Sequence, residues 1–237
     1  MSTDLSKATL FRMEFKQDQV MDFLCRNTVM QEFSNKGVSL GKNEFKWETR
    51  VTQRVIRTEE NCAHLLTISE PLGEMPANPI VPAQVVRQII YAQMNKNGNI
   101  LESAGGTNLT SYDFPDVPLV KDDEWEVRTT MMLPGMPNPA PCVNKYKVTG
   151  TGEAAGYECV IIEMASTEAS FEMMLPTGQK ARVKSHNLGK LWYSPELKTF
   201  VRIEQITKSL PEIEEFSFKS MMSTFQELVK LEIPENK

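Results

Sequence analysis

At 237 residues, 41% hydrophobic and 24% charged with a net charge of -5, the chain has the composition of a globular protein able to bury a sizeable core. Its Lys and Arg residues are scattered among acidic ones, which leaves no basic footprint for nucleic acid or anionic headgroups. No stretch approaches the roughly 18 consecutive apolar residues of a helical membrane span.

The opening "MSTDLSKATLF" lacks a charged n-region followed by an apolar h-region. The expectation is a cytoplasmic protein if Met1 is native, and a secreted or cell-envelope one if a signal sequence has been removed. "LFRMEF" alternates Phe11, Met13 and Phe15 with Leu10, Arg12 and Glu14 and reads as a first strand. In "EFKWETRVTQRV", Phe45, Trp47, Thr49, Val51 and Val55 share one face while Lys46, Glu48, Arg50, Thr52 and Arg54 share the other. Such alternation describes an antiparallel strand wetted on one side, and a Thr and a Gln on its apolar face suggest that it is long and bent. "NCAHLLTISE" follows as a strand after the polar turn Arg57 to Asn61, and "EPLGEMPANPIVP" is a proline-punctuated connector. "AQVVRQIIYAQMNKNGNILESAGG" suits either a helix face or a hairpin. The Asn97-Gly98 pair favours the hairpin, because positive φ is easy for Gly and tolerable for Asn.

"DDEWEVRTTMML" and "VNKYKVTG" read as strands joined by the Met- and Pro-rich "MMLPGMPNPAPC". "YECVIIEMAS" is apolar on both faces, as for a central, covered strand. "KSHNLGK" reads as a solvated loop holding His186, and "GKLWYSPELKTFVRIEQIT" as a hairpin turning at Ser194-Pro195 to Lys198. In the tail, Phe218, Met221, Met222, Phe225, Leu228, Val229 and Ile233 fall near helical spacing, which favours a C-terminal helix over a strand for 217–233. The expected fold is mainly β: long curved antiparallel sheets, half-barrel or sandwich-like, with a candidate C-terminal helix. Two β-rich halves, 8–105 and 106–237, are expected, with one continuous domain as the alternative.

Motifs of chemistry are few. "GTGEAAG" matches G-x-G-x-x-A but is followed by strand-like "YECVIIEM", so it reads as a glycine-rich hairpin connection and not a dinucleotide site. Asp122-Asp123-Glu124 and Glu59-Glu60 read as solvated turns without the periodicity of a calcium loop. Cys25, Cys62, Cys142 and Cys159 lie far apart with no C-x-x-C, which favours reduced thiols. Cys62 and His64 would share a strand face, yet nothing marks an activating environment for a dyad. The fourteen methionines could offer soft ligands to Cu(I) from Met132, Met136 and Cys142. The commoner role is to fill an irregular core or line a pliant apolar pocket. No metal and no cofactor is therefore expected, and no enzyme.

Residues 110–206 resemble a family of uncharacterised bacterial β-rich domains of secreted or lipoprotein type. The likeness is carried by Asp122 and Trp125, "KYKVTG" and Gly156-Tyr157 with Cys159 and Ile162, and then by Tyr193 and Arg202. "LFRMEFKQDQVMDFL" is similar to the family's opening strands and "YAQMNKNGNILESAGG" to its central hairpin. The resemblance implies architecture and no catalytic residue. A looser likeness to the half-barrels of lipoprotein carriers implies a concave apolar face. The functional expectation is a non-catalytic domain binding a lipid or other apolar small molecule. Phe45, Trp47, Met132, Met136 and Met222 are its candidate contacts, the Met/Pro stretch forming a stiff flap. The alternative is a structural or protein-interaction module with a fully packed core.

Overall fold

The computed structural model describes residues 8–36, 38–74, 87–105, 110–131, 140–174, 180–213 and 216–234. Among them run β1 (Val20–Asn35), β2 (Val38–Thr58), β3 (Cys62–Leu72), β4 (Gln88–Asn95), β5 (Ile100–Ala104) and β6 (Glu124–Met131). The second set is β7 (Ala140–Ala154), β8 (Tyr157–Ser166), β9 (Ala169–Met174), β10 (Lys180–Ser194), β11 (Thr199–Ile213) and β12 (Phe216–Glu232). All twelve join one curled antiparallel sheet in the order β5-β4-β3-β2-β1-β12-β11-β10-β8-β7-β6, with β9 beside β10. The sheet does not close, since β5 and β6 remain as edges. Two meanders thus run outward from a central seam where the first strand pairs with the last, from Val20↔Glu232 to Asn35↔Phe216.

The seam removes the expected C-terminal helix. Met222, Thr224, Gln226 and Leu228 lie in register with Val29, Asn27, Cys25 and Phe23 on the inner face, while Phe225 lies opposite Arg26 on the outer. A strand that places apolar groups on both faces imitates helical spacing. Here β1 and β11 satisfy both of its backbone edges, which no helix at this position could do. The outer face carries a row of cations over rings: Arg26 over Phe225 (5.6 Å), Arg202 over Phe225 (5.2 Å) and Arg202 over Trp192 (5.3 Å). Arg202 also pairs with Glu227, so the row ties β1, β12, β11 and β10 together.

"LFRMEF" does not enter the sheet. Its inside-outside alternation persists, with Phe11 and Met13 buried and Glu14 exposed, but the segment crosses the interior as a strap. The Met13 amide donates to the Lys96 carbonyl (2.7 Å) and that of Glu14 to Lys198 (3.2 Å). The Tyr193 hydroxyl takes the place of a ladder partner, accepting from the Arg12 amide (3.1 Å) and donating to the Arg12 carbonyl (2.6 Å). A second strap, 110–120, meets the first at the Thr9↔Leu119 bridge. Trp125 Nε1 holds it by donating to the Tyr112 carbonyl (3.0 Å). The straps contribute Phe11, Tyr112 and Phe114 to an aromatic core with Trp125, Tyr146, Tyr193 and Phe200. Its rings pack as close as 4.4 Å (Tyr112–Phe200) and 5.0 Å (Phe11–Tyr193, Trp125–Tyr146) between centroids.

"GTGEAAG" is the end of β7 followed by a two-residue turn into β8, with Ala155 (φ 52°) and Gly156 (φ 79°) both left-handed as a type I′ turn requires. Residues 88–104 form the expected hairpin, β4 and β5 turning at Asn97-Gly98, and Gly98 has φ 74°. Cys159, Val160 and Ile162 of β8 are fully buried, so that strand is covered on both faces near its start. "KSHNLGK", expected as a loop, lies within β10. Its inner face there is Ser185, Asn187 and Gly189, small or polar residues that hide the alternation. The connection between β6 and β7 joins neighbouring strands, as Met131↔Ala140 pairing shows, but Met132 and Met136 lie outside the described residues.

Two substitutions test the straps. Phe11→Ala should lower unfolding stability by about 3–5 kcal/mol. Tyr193→Phe, which leaves both Arg12 backbone groups without their partner, should lower it by about 1–3 kcal/mol. Urea titrations followed by tryptophan fluorescence measure both, and a Tyr193→Phe midpoint equal to that of the parent would refute the strap hydrogen bonds.

Candidate functional site

The inner face of the sheet is not uniformly packed. Beyond the aromatic core the two meanders diverge around a cavity of about 320 Å³. One wall comes from β2, β3 and β4, where in-register rows bring Val51, Ser69 and Gln88 together, then Gln53, Thr67 and Ile90. The opposite wall comes from β10, β11 and β12 through Leu191, Ile203 and Gln226, then Gly189, Gln205 and Thr224. Met13 and Phe15 of the first strap and Thr110 and Tyr112 of the second complete it, with Phe23 and Met164.

Gly189 shapes the wall on the side of β10. A Cβ on Gly189 would come within 2.9 Å of the Met164 methyl and 3.3 Å of the Glu204 carbonyl, so glycine lets the Met164 thioether lie across β10. Glu204 borders the cavity, but Ile203 and Gln205 point inward and strand alternation turns the Glu204 side chain to the outer face. The inward side chains are therefore apolar groups with Gln53, Gln88, Gln205 and Gln226 and the hydroxyls of Thr67, Ser69, Thr110 and Thr224 among them. Gln53 Nε2 lies 3.4 Å from Thr67 Oγ1, and Thr224 donates to Asn27 Oδ1 at 3.0 Å. Such a lining offers donors and acceptors without formal charge.

Of the sequence-derived contacts, Phe45 and Met222 flank Val29 in one row, and Trp47 follows in the next beside Asn27. They share the inner face but stand farther along the strands than the cavity. Phe45 and Trp47 are half-buried there and Met222 is 37% exposed. The inner row after Val29 is polar: Gln31 and Ser185 are buried, and Ser185 bonds the Lys208 carbonyl (3.1 Å) and Ser209 Oγ (3.0 Å). The cavity glutamines were not singled out from sequence, although Gln53 on the apolar face of β2 was the visible sign. Asp122-Asp123 is the solvated turn before β6, which Glu124 opens; Asp123 Oδ2 accepts from the Val120 amide (2.8 Å) and Lys147 pairs with Asp122 and Glu124. All four cysteines are free thiols, Cys25, Cys142 and Cys159 being buried.

The chain is similar in structure to a Bacteroides fragilis protein assigned as exported, with a YmcC-like fold (11% identity, TM-score 0.36, covering 94% of this chain and 100% of that one). It is also similar to Ail, the attachment invasion locus protein of Yersinia pestis (5% identity, TM-score 0.24, covering 90% and 99%). The same protein in complex with the heparin analogue sucrose octasulfate gives a TM-score of 0.23. No family model and no curated protein matches the chain. Among the described residues no helix is long and apolar enough to cross a membrane.

Tyrosines of the aromatic core set an alkaline limit on the fold. Burial raises the Tyr146 and Tyr193 hydroxyls from the ordinary 10.0 to about 12, and raises Tyr112 as well. A raised acid constant in the folded state means that the unfolded chain releases these protons first. Their contribution to stability is complete below pH 10 and falls away as pH climbs toward 12. Tyrosinate absorbance should therefore rise together with loss of β-sheet circular dichroism in that range. Full tyrosine ionisation with the sheet signal intact would contradict the burial.

Proposed function

We propose that this chain is a non-catalytic binding domain whose curled sheet holds a small uncharged molecule, apolar over most of its surface, with a polar group that meets the glutamine amides. The observation that carries this reading is the cavity itself. Its volume of about 320 Å³ is at the lower end of the roughly 300–1,000 Å³ usual for small-molecule pockets. Apolar side chains from both meanders and both straps converge on it with neutral hydrogen-bonding groups interspersed. It is this space that favours a binding role over a fully packed interaction module.

The chemistry of the lining narrows the occupant. A carboxylate or phosphate enclosed here would lose its hydration without an inward Arg or Lys to replace it. A neutral hydroxyl, ester or amide would exchange water for the glutamine side chains at little net loss. The preferred occupant is thus a lipid-like molecule with an uncharged head.

Isothermal titration of the purified full chain with a medium-chain monoacylglycerol and with the fatty acid of the same chain length, at neutral pH, distinguishes these cases. The neutral lipid should bind at least about tenfold more tightly, a difference of about 1.4 kcal/mol. Ile203→Trp, which fills the cavity, should abolish its binding. Gln226→Leu should narrow the preference for the neutral head. Failure of both lipids to bind, or unchanged binding in Ile203→Trp, would overturn the proposal.

A further inference from the structure

At the β2–β3 turn, on the outer side of the sheet, three side chains with metal-binding atoms converge. Glu59, Cys62 and His64 bring a carboxylate oxygen, a sulfur and an imidazole nitrogen within 4.8 Å of one another. The turn is closed by the Glu59 amide donating to the Cys62 carbonyl (2.8 Å). Cys62 and His64, two apart on β3, project from one face while Ala63 and Leu65 enter the core. Glu59 Oε1 lies 3.1 Å from His64 Nε2, and Glu59 Oε2 lies 3.6 Å from Cys62 Sγ. Donors gathered this closely need only small side-chain movements to bond one ion at the distances of zinc, about 2.0–2.3 Å.

The surroundings are arranged as ligand supports. The Tyr91 hydroxyl sits 2.7 Å from His64 Nδ1. With Nδ1 protonated and donating to that oxygen, Nε2 keeps its lone pair for an ion. Gln93 Nε2 donates to Cys62 Sγ at 3.0 Å, and Arg57 lies 3.0 Å from Glu59 Oε1. A nucleophilic dyad fits less well. Both imidazole nitrogens are engaged, by Glu59 and Tyr91, so neither is aimed at Cys62 to take its proton. Glu59 and Cys62 also border a cleft of about 70 Å³ walled by Met13 and Phe15 of the first strap.

We propose that Glu59, Cys62 and His64 form a zinc(II) site with water as the fourth ligand. A thiolate and an imidazole select a borderline-soft ion over magnesium or calcium. When zinc enters, the Cys62 thiol gives up its proton to solvent and the sulfur–zinc bond forms. His64 stays neutral, bound through Nε2, and the carboxylate of Glu59 supplies the third bond.

Cobalt(II) added to the full-length apoprotein tests the site by spectroscopy, and competition with a chromophoric chelator measures zinc affinity. One ion per chain is expected, with a thiolate-to-cobalt charge-transfer band and tetrahedral d–d bands. Cys62→Ser should abolish the charge-transfer band and weaken zinc binding by more than about 100-fold, and Tyr91→Phe or Gln93→Ala should weaken it by roughly tenfold. Glu59→Gln, at an exposed carboxylate outside the core, keeps the test sound if Cys62→Ser misfolds, and it too should weaken zinc at least tenfold while circular dichroism stays unchanged. Absence of stoichiometric zinc binding, absence of the charge-transfer band, or a Glu59→Gln affinity equal to that of the parent would overturn the site.

Discussion

The pairing of β1 with β12 is the constraint from which the rest of the molecule follows. Each meander alone is a series of hairpins with local contacts, β1 through β5 on one side and β12 back through β6 on the other. Only the seam makes them one sheet, and it joins residues from opposite ends of the chain, Val20 with Glu232 and Asn35 with Phe216. Its closure entropy must be met before the ladder returns any stabilisation, so topology of this kind folds slowly and leaves two unpaired long edges exposed until it forms. The row Arg26, Phe225, Arg202 and Trp192 crosses that seam on the outer face. Each cation–π contact is worth only about 0.5–1 kcal/mol at an exposed site. Their value lies in register: a one-residue slip would turn every one of these side chains to the wrong face.

Once the seam is set, the straps decide where the interior is solid and where it is hollow. A twelve-stranded sheet curls too widely for its own side chains to fill the interior. Phe11, Tyr112 and Phe114, delivered by backbone that belongs to no ladder, fill one region with rings. Buried backbone outside a ladder needs partners. Tyr193, Trp125 and Tyr146 provide them through polar tips, the last donating to the Ser111 carbonyl at 3.3 Å. The aromatic residues thus serve twice, as core volume and as hydrogen-bonding groups that hold irregular chain inside a sheet. Where the straps end, the cavity begins.

Much of this architecture was legible in the sequence, and what was not has specific physical causes. Period-two patterning exposes β2, β3, β7 and β8 because one face is apolar and the other is wet or the strand is covered twice. It misplaced "LFRMEF", since a strap over a core alternates as a strand does and only long-range hydrogen bonding separates the two. It favoured a helix at 217–233 because Met221, Met222 and Phe225 put bulk on both faces of β12. It lost the start of β10 because an inner face of Ser185, Asn187 and Gly189 carries no apolar signal. The cavity was hidden for the same reason. Its glutamines and threonines look like surface residues until the register places Gln53 beside Thr67 and Thr224 beside Asn27. Glu59 belonged to an acidic pair typical of a solvated turn, and only the turn geometry aims it at Cys62 and His64.

The first strap connects the two proposed sites. Met13 and Phe15 border the interior cavity on one side and the cleft at Glu59 and Cys62 on the other, so one short segment is a wall of both. That segment is fixed by the Lys96 and Lys198 carbonyls and by Tyr193, while its side chains include an adaptable thioether. Under the two proposals, an occupant that displaced Met13 on entering the cavity would change the shape of the cleft, and an ion that ordered the β2–β3 turn would stiffen the wall of the cavity. Coupling between two sites requires an element whose arrangement both can bias, and by linkage it acts equally in both directions. The strap is the element that the two proposed sites share, its side chains walling both spaces while its backbone is held outside the ladder.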